Sequence, residues 1–274
     1  TIVGIENIVL NATGALSSGD TTFQVAMDNV TPTNISVDVT AASSLITDAQ
    51  LDNVKSGANI TLSDEFTSAT IDGVDNGSYT INAAADLSLT VTGATVDDVT
   101  VVSAKDVTIA ATSNDGDLTI TGEVVAVTAN TVTGALNVTS SDNTTITTAD
   151  GATSSVITAA GVVAVVSLDS ATSINITTTG AEADAHNVLF TDSASTVSAT
   201  SVTVVSAHGI GDAAGIGAAN DAVFDAATTV NVTVDESSWF TASAADAVLT
   251  LASTEAEADD LVTMTVVADN VASI

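Results

Sequence analysis

The 274-residue chain has no cysteine, no arginine, one proline (Pro32) and two lysines, Lys55 and Lys105. Each shortage excludes something. Without cysteine there is no disulfide framework, no thiolate zinc site and no thiol chemistry. Two cations against 34 acidic residues, a net charge of −32, leave no basic footprint for nucleic acid, and an anionic membrane surface repels the chain for the same reason. No run reaches the ~18 apolar residues of a membrane-spanning helix. Aromatics are 3% of residues, so a core must be built from Val, Ile, Leu and Ala rather than from the large rings that usually fill β-sandwiches. The start, TIVGIENIVL, has neither an initiator Met nor the basic n-region of a signal peptide, which leads us to expect a processed product or an internal piece.

What is present is apolar and repetitive. Hydrophobic residues are 45% and the mean hydropathy is +0.45, too apolar for a disordered acidic chain. The stretch from Leu87 to Thr121, LSLTVTGATVDDVTVVSAKDVTIAATSNDGDLTIT, writes four short alternating runs punctuated by acid. Similar runs recur along the chain, among them ISVDV (35–39), ANITL (58–62), SYTINA (78–83), ALNVTS (135–140), TTITT (144–148), INITTT (174–179), VNVTV (230–234), AVLTLA (247–252) and LVTMTVV (261–267). Short strands roughly 8–12 residues apart, with Asp, Asn, Gly or Ser between them, mark an all-β chain.

Two architectures fit: a parallel β-helix (β-solenoid) with about three strands per coil, or tandem antiparallel β-sandwich domains. The solenoid is favoured because like residues stack coil on coil and small aliphatics fill that space without aromatics. At ~20–25 residues per coil it would make about twelve coils. The expected organisation is a body over 1–205, an insertion over 206–227 and terminal strands of the same body over 228–274. A helical insertion is expected near 45–57, where SLITDAQLDNVKSG spaces Leu45, Leu51 and Val54 helically, pairs Thr47 with Gln50 as a capping box and ends on Gly57.

The opening GIENIVLNATGA, the Thr/Ala/Val strand repetition and the shortage of Cys, Lys and Arg resemble bacterial surface-layer and RTX-type secreted proteins. In these, G-[IF]-E-x-[IV]-x-[VL] begins a rung of a calcium-binding β-solenoid. Gly209-Ile-Gly211-Asp212 and Gly215-Ile-Gly217 are fragments of that family's GGxGxD repeat. The resemblance implies export to the cell surface, calcium dependence and assembly as a homo-oligomeric lattice or filament. Cell-surface polysaccharide is a further candidate partner. The alternative is an adhesin or passenger segment that binds a receptor or carbohydrate.

Calcium takes six to eight hard oxygens, often from Asp and Asn one or two residues apart on a tight turn. The candidate ligands are Asp72, Asp75 and Asn76; Asp97 and Asp98; Asn114, Asp115 and Asp117; Asp212 with Asn220 and Asp221; and Asp259 and Asp260 beside Glu257. The same residue types are also the default formers of turns. No catalytic residue is expected. His186 and His208 are the only histidines, and no G-x-S-x-G, HExxH or P-loop occurs. An acidic polysaccharide substrate would need cationic subsites that the chain cannot supply. Thr90-Val-Thr92, Thr119-Ile-Thr121 and Thr145-Ile-Thr147 resemble the T-x-T units of ice-binding solenoids, but no rank of them is evident along the chain. Trp239 and Phe240 are candidate interface anchors, as are the solenoid ends and the 206–227 insertion.

Overall fold

The computed structural model describes residues 6–12, 21–28, 31–39, 46–74, 77–92, 96–111, 115–129, 132–165, 167–168, 170–179, 188–190, 198–207, 210–211, 229–234 and 263–268. All regular structure among these residues is β-strand. The chain divides into two compact units, Thr1–Val125 with Thr131–Thr133, and Ala126–Asn130 with Gly134–Ile274.

The first unit contains β1 (Asn7–Ala12), β2 (Thr22–Ala26), β3 (Asn34–Val39), β4 (Asp48–Val54), β5 (Ala58–Leu62), β6 (Ser68–Gly73), β7 (Gly77–Ala83), β8 (Leu87–Thr92), β9 (Val96–Ser103), β10 (Val107–Ala111) and β11 (Leu118–Gly122). The division falls inside β12 (Val125–Thr128). The second unit continues with β13 (Ala135–Ser140), β14 (Thr144–Thr148), β15 (Ser154–Ala159), β16 (Val163–Val165), β17 (Ser173–Thr178), β18 (Val188–Phe190), β19 (Ser201–Ser206), β20 (Ile210–Gly211), β21 (Thr229–Val234) and β22 (Thr263–Ala268). In the first unit the odd strands β1 to β11 form one sheet in chain order and the even strands β2 to β10 form a second. In the second unit β13, β15, β17, β19, β21 and β22 form one sheet, and β14, β16, β18 and β20 another.

Up to β21, each pass of the chain therefore lays one strand in each of two sheets and returns one strand spacing further on. The registers are parallel, as between β1 and β3, β9 and β11, or β13 and β15. Each unit is a parallel β-solenoid with two strands per coil rather than the expected three, and the described residues form no antiparallel sandwich. Coil length varies: equivalent residues are 27 apart at Asn7 and Asn34, 19 at Asp98 and Asp117, and 28 at Thr172 and Thr200. That variation hides the repeat from any fixed sequence period.

The core follows from strand alternation, because every second residue points between the sheets. Ile35, Ile60, Ile81, Val101 and Ile120 stack in one inward column of the first unit. Val138, Ile157, Ile176 and Val204 do so in the second. All of these side chains are buried, each worth about 1.5–3 kcal/mol relative to exposure. Several odd strands end on a buried hydroxyl that serves the turn. Ser103 Oγ accepts the N–H of Lys105 at 3.0 Å, Ser140 Oγ meets Thr144 Oγ1 at 2.8 Å, and Thr178 Oγ1 accepts the N–H of Ala207 at 3.0 Å. Tyr79 lies inward, its hydroxyl donating to the Val54 carbonyl at 2.8 Å. A Cβ on Gly73 would come within 2.6 Å of its ring, so that strand passes only as glycine.

The helix expected near 45–57 is corrected. Ile46 to Val54 is extended and β4 is paired on both sides, with β2 and with β6. Asn53 adopts a positive φ of 58° and the register slips between Leu51 and Val54. This bulge puts Leu51 and Val54 both inward, three residues apart, which is the spacing that mimics a helix. The insertion expected over 206–227 is also modified at its start. Ser206 closes β19, and β20 pairs in parallel with β18 as part of the body. Apart from Ala207, the rest of that segment, like Trp239, Phe240, His186 and His208, lies outside the described residues.

Candidate functional site

Most acids among the described residues stand at corners, and the structure gives several of them a specific use. Asp97 and Asp98 open β9, and the Asp115-Gly116-Asp117 turn passes over them one coil later. The N–H of Asp117 donates to Asp98 Oδ1 at 2.9 Å, and the N–H of Asp115 donates to the Val96 carbonyl at 2.7 Å. Thr133 Oγ1 in turn donates to the Asp115 carbonyl at 2.5 Å. A Cβ on Gly116 would lie 2.5 Å from Asp98 Oδ1 and 2.6 Å from the Asp97 carbonyl carbon, so glycine is what lets the two turns stack. Two other corners repeat the arrangement. Asp106 Oδ1 accepts the N–H of Val124 at 3.2 Å, and Asn143 Oδ1 accepts the N–H of Val162 at 2.6 Å. A corner Asp or Asn thus caps a backbone donor of the following coil, which would otherwise be unpaired where the ladder breaks.

On the sheets, polar side chains form ladders. Asn34 Nδ2 donates to Asn7 Oδ1 at 2.8 Å, Asn59 Nδ2 to Asn34 Oδ1 at 3.4 Å, and Asn82 Nδ2 to Asn59 Oδ1 at 2.6 Å. On the even sheet Asp48 accepts from Thr22 Oγ1, Gln50 Nε2 and Ser68 Oγ at 3.2, 3.1 and 2.9 Å. Asp52 accepts from Gln24 Nε2 at 2.9 Å, and Asp72 from Thr92 Oγ1 at 3.3 Å. Glu65 is held below its ordinary 4.5, first by the Ser63 hydroxyl and then by its own backbone N–H. Burial pushes the Tyr79 phenol above 10.0, and the nearby carboxylates of Asp72 and Asp97 add to it.

Of the expected calcium ligands, the structure brings together Asp97, Asp98, Asp115 and Asp117 in successive coils, and places Asp72 alone on the outer face of β6. Asp75, Asn76, Asn114, Asp212, Asn220, Asp221, Asp259 and Asp260 lie outside the described residues. Calcium needs six or more converging oxygens, whereas Asp98 Oδ1 is already engaged by a backbone N–H. Among the described residues no three His, Asp or Glu side chains converge as metal ligands. The described corners act as inter-coil caps.

Reading the residues in sequence order missed the outer face of the odd sheet in the second unit. There the parallel register aligns outward positions from β13 to β21 into three columns. The middle one runs Asn137, Val156, Asn175, Thr203 and Asn231. The flanking columns hold only Ala, Ser, Thr and Val. None of these outward positions is ionisable, in a chain with 34 acids. Ranks of Thr, Ser and Asn therefore do exist; what concealed them was the unequal coil length. Val156 and Val205 are 47% and 37% exposed, both on this face.

No protein-family model, no curated protein and no solved structure matches the chain.

Proposed function

We propose that this chain is a structural, non-catalytic segment of an extracellular surface layer or filament, of the kind its sequence resembles, and that it assembles with copies of itself. The observation that carries this reading is how the described polar residues are spent. Corner acids cap the next coil, asparagines and hydroxyls form ladders across coils, and the chain's chemistry goes into making a regular stacked object. A solenoid of this kind offers the same surface every ~4.8 Å along its stack, which suits repeated contacts in an assembly. Calcium belongs to the proposal on charge grounds: a body with net charge −32 approaches its copies only when counter-ions offset the repulsion, and divalent ions do so most effectively. No described loop is assigned as its cage.

Electron microscopy tests the reading. Purified protein with millimolar calcium is expected to form regular sheets or fibres that a chelator disperses and added calcium restores. Monomers under all these conditions that bind glycans instead would favour the adhesin segment.

A further inference from the structure

We infer that the outer face of the odd sheet in the second unit, strands β13 to β21, is a self-docking surface whose occupant is the same face of a second copy. This rests on the assembly reading above and names the surface through which that assembly would begin.

Three observations bear on the occupant. The face has no ionisable side chain, although the chain carries 34 acids. Two bodies of charge −32 repel wherever acid meets acid, so an uncharged face is where two copies approach at least electrostatic cost. Next, the second unit's exposed large apolar side chains among the described residues, Val156 and Val205, both stand on it. Finally, the repeat of the face is commensurate with itself. Columns ~6.7 Å apart, with residues repeating every ~4.8 Å along each, can interdigitate with an identical set turned about a two-fold axis, the self-complementary geometry of an isologous interface.

The size of the contact sets its strength. Five strands at ~4.8 Å and three outward residues at ~6.7 Å mark out roughly 500 Å² per copy. The dimer would bury roughly 1,000 Å², below a standard stable interface. The contact is therefore weak, reversible and concentration-dependent, and it strengthens as salt screens the acids elsewhere on the chain.

Sedimentation velocity over a concentration series, in low and in high sodium chloride, tests this on the full chain. Wild type is expected to show a monomer–dimer equilibrium favoured by salt. Asn175→Asp, nearly isosteric, and Asn175→Asp with Thr203→Asp each place new charges face to face and are expected to weaken association about tenfold or more. Thr147→Asp adds the same charge on β14, in the other sheet, and is expected to leave it unchanged. Circular dichroism melts identify any variant that fails through folding. A monomeric wild type at all concentrations overturns the proposal. So does association that Asn175→Asp leaves intact, or a wild type that stays monomeric yet binds neutral glucan or shapes ice in a manner Asn175→Asp abolishes. Calcium-dependent fibres that survive in the double variant would sink this surface while sparing the assembly reading. Dimers lost in the variant, from a protein that never forms fibres, would spare the surface and sink the assembly.

Discussion

Ser155 breaks the chemistry of the column it occupies. It sits inward on β15 between Leu136 and Ile174, is 1% exposed, and its hydroxyl has no partner. A buried hydroxyl without a hydrogen bond costs on the order of 1–3 kcal/mol. Ser155→Ala removes that group without adding volume, and urea denaturation is expected to show a gain of about 1 kcal/mol. A loss would mean that the hydroxyl is bonded in solution. Other single residues show why side-chain type alone misleads. Asp98, a calcium candidate in the sequence, accepts a backbone N–H from the next coil, as Asp106 also does. Both roles call for a short acidic side chain at a corner. What separates them is the partner 18 or 19 residues away, which local sequence does not display.

At the level of the element, β4 is the instructive case. Its apolar residues are spaced for a helix, and the strand absorbs that spacing through one left-handed residue. Asn53 tolerates a positive φ better than most residues, and its amide donates to Asp28 Oδ1 at 2.5 Å. Asn53→Ala is expected to cost about 1–2 kcal/mol in chemical denaturation, since a Cβ without a local hydrogen bond is strained there. Asn53→Gly, which adopts the conformation freely, is expected to cost less. Equal stability of the two variants would show that the bulge relaxes at no cost. The regular strands were easier to read. ANITL, VTIAA, ALNVTS and TTITT coincide with β5, β10, β13 and β14, because strict alternation between core and solvent leaves one pattern per strand. The short β18 and β20 carry too few residues to show alternation, and they join the sheet only because their neighbours hold them.

For the whole molecule, charge is the dominant variable. Most acids among the described residues stand at turns, where self-repulsion acts between coils and between copies, and Lys105 offsets it only locally through an exposed ion pair with Glu123 at 3.7 Å. Sodium chloride is expected to raise the melting temperature by screening. Millimolar calcium at matched ionic strength is expected to raise it further. Superimposable melts in the two salts would reduce calcium to a screening ion and remove it from the proposed function. The sequence by itself determined the all-β class, the aliphatic core and the acid-bearing turns, because composition and two-residue alternation are local properties. Only the tertiary structure decided which coil lies against which, since equivalent residues stand from 19 apart, as Val99 and Leu118 do, to 34 apart, as Thr229 and Thr263 do, and no fixed period announces them. Register between parallel strands is a long-range property. It turned scattered Thr, Ser and Asn into an uncharged face and set the Asp98 carboxylate against a backbone N–H of the neighbouring coil.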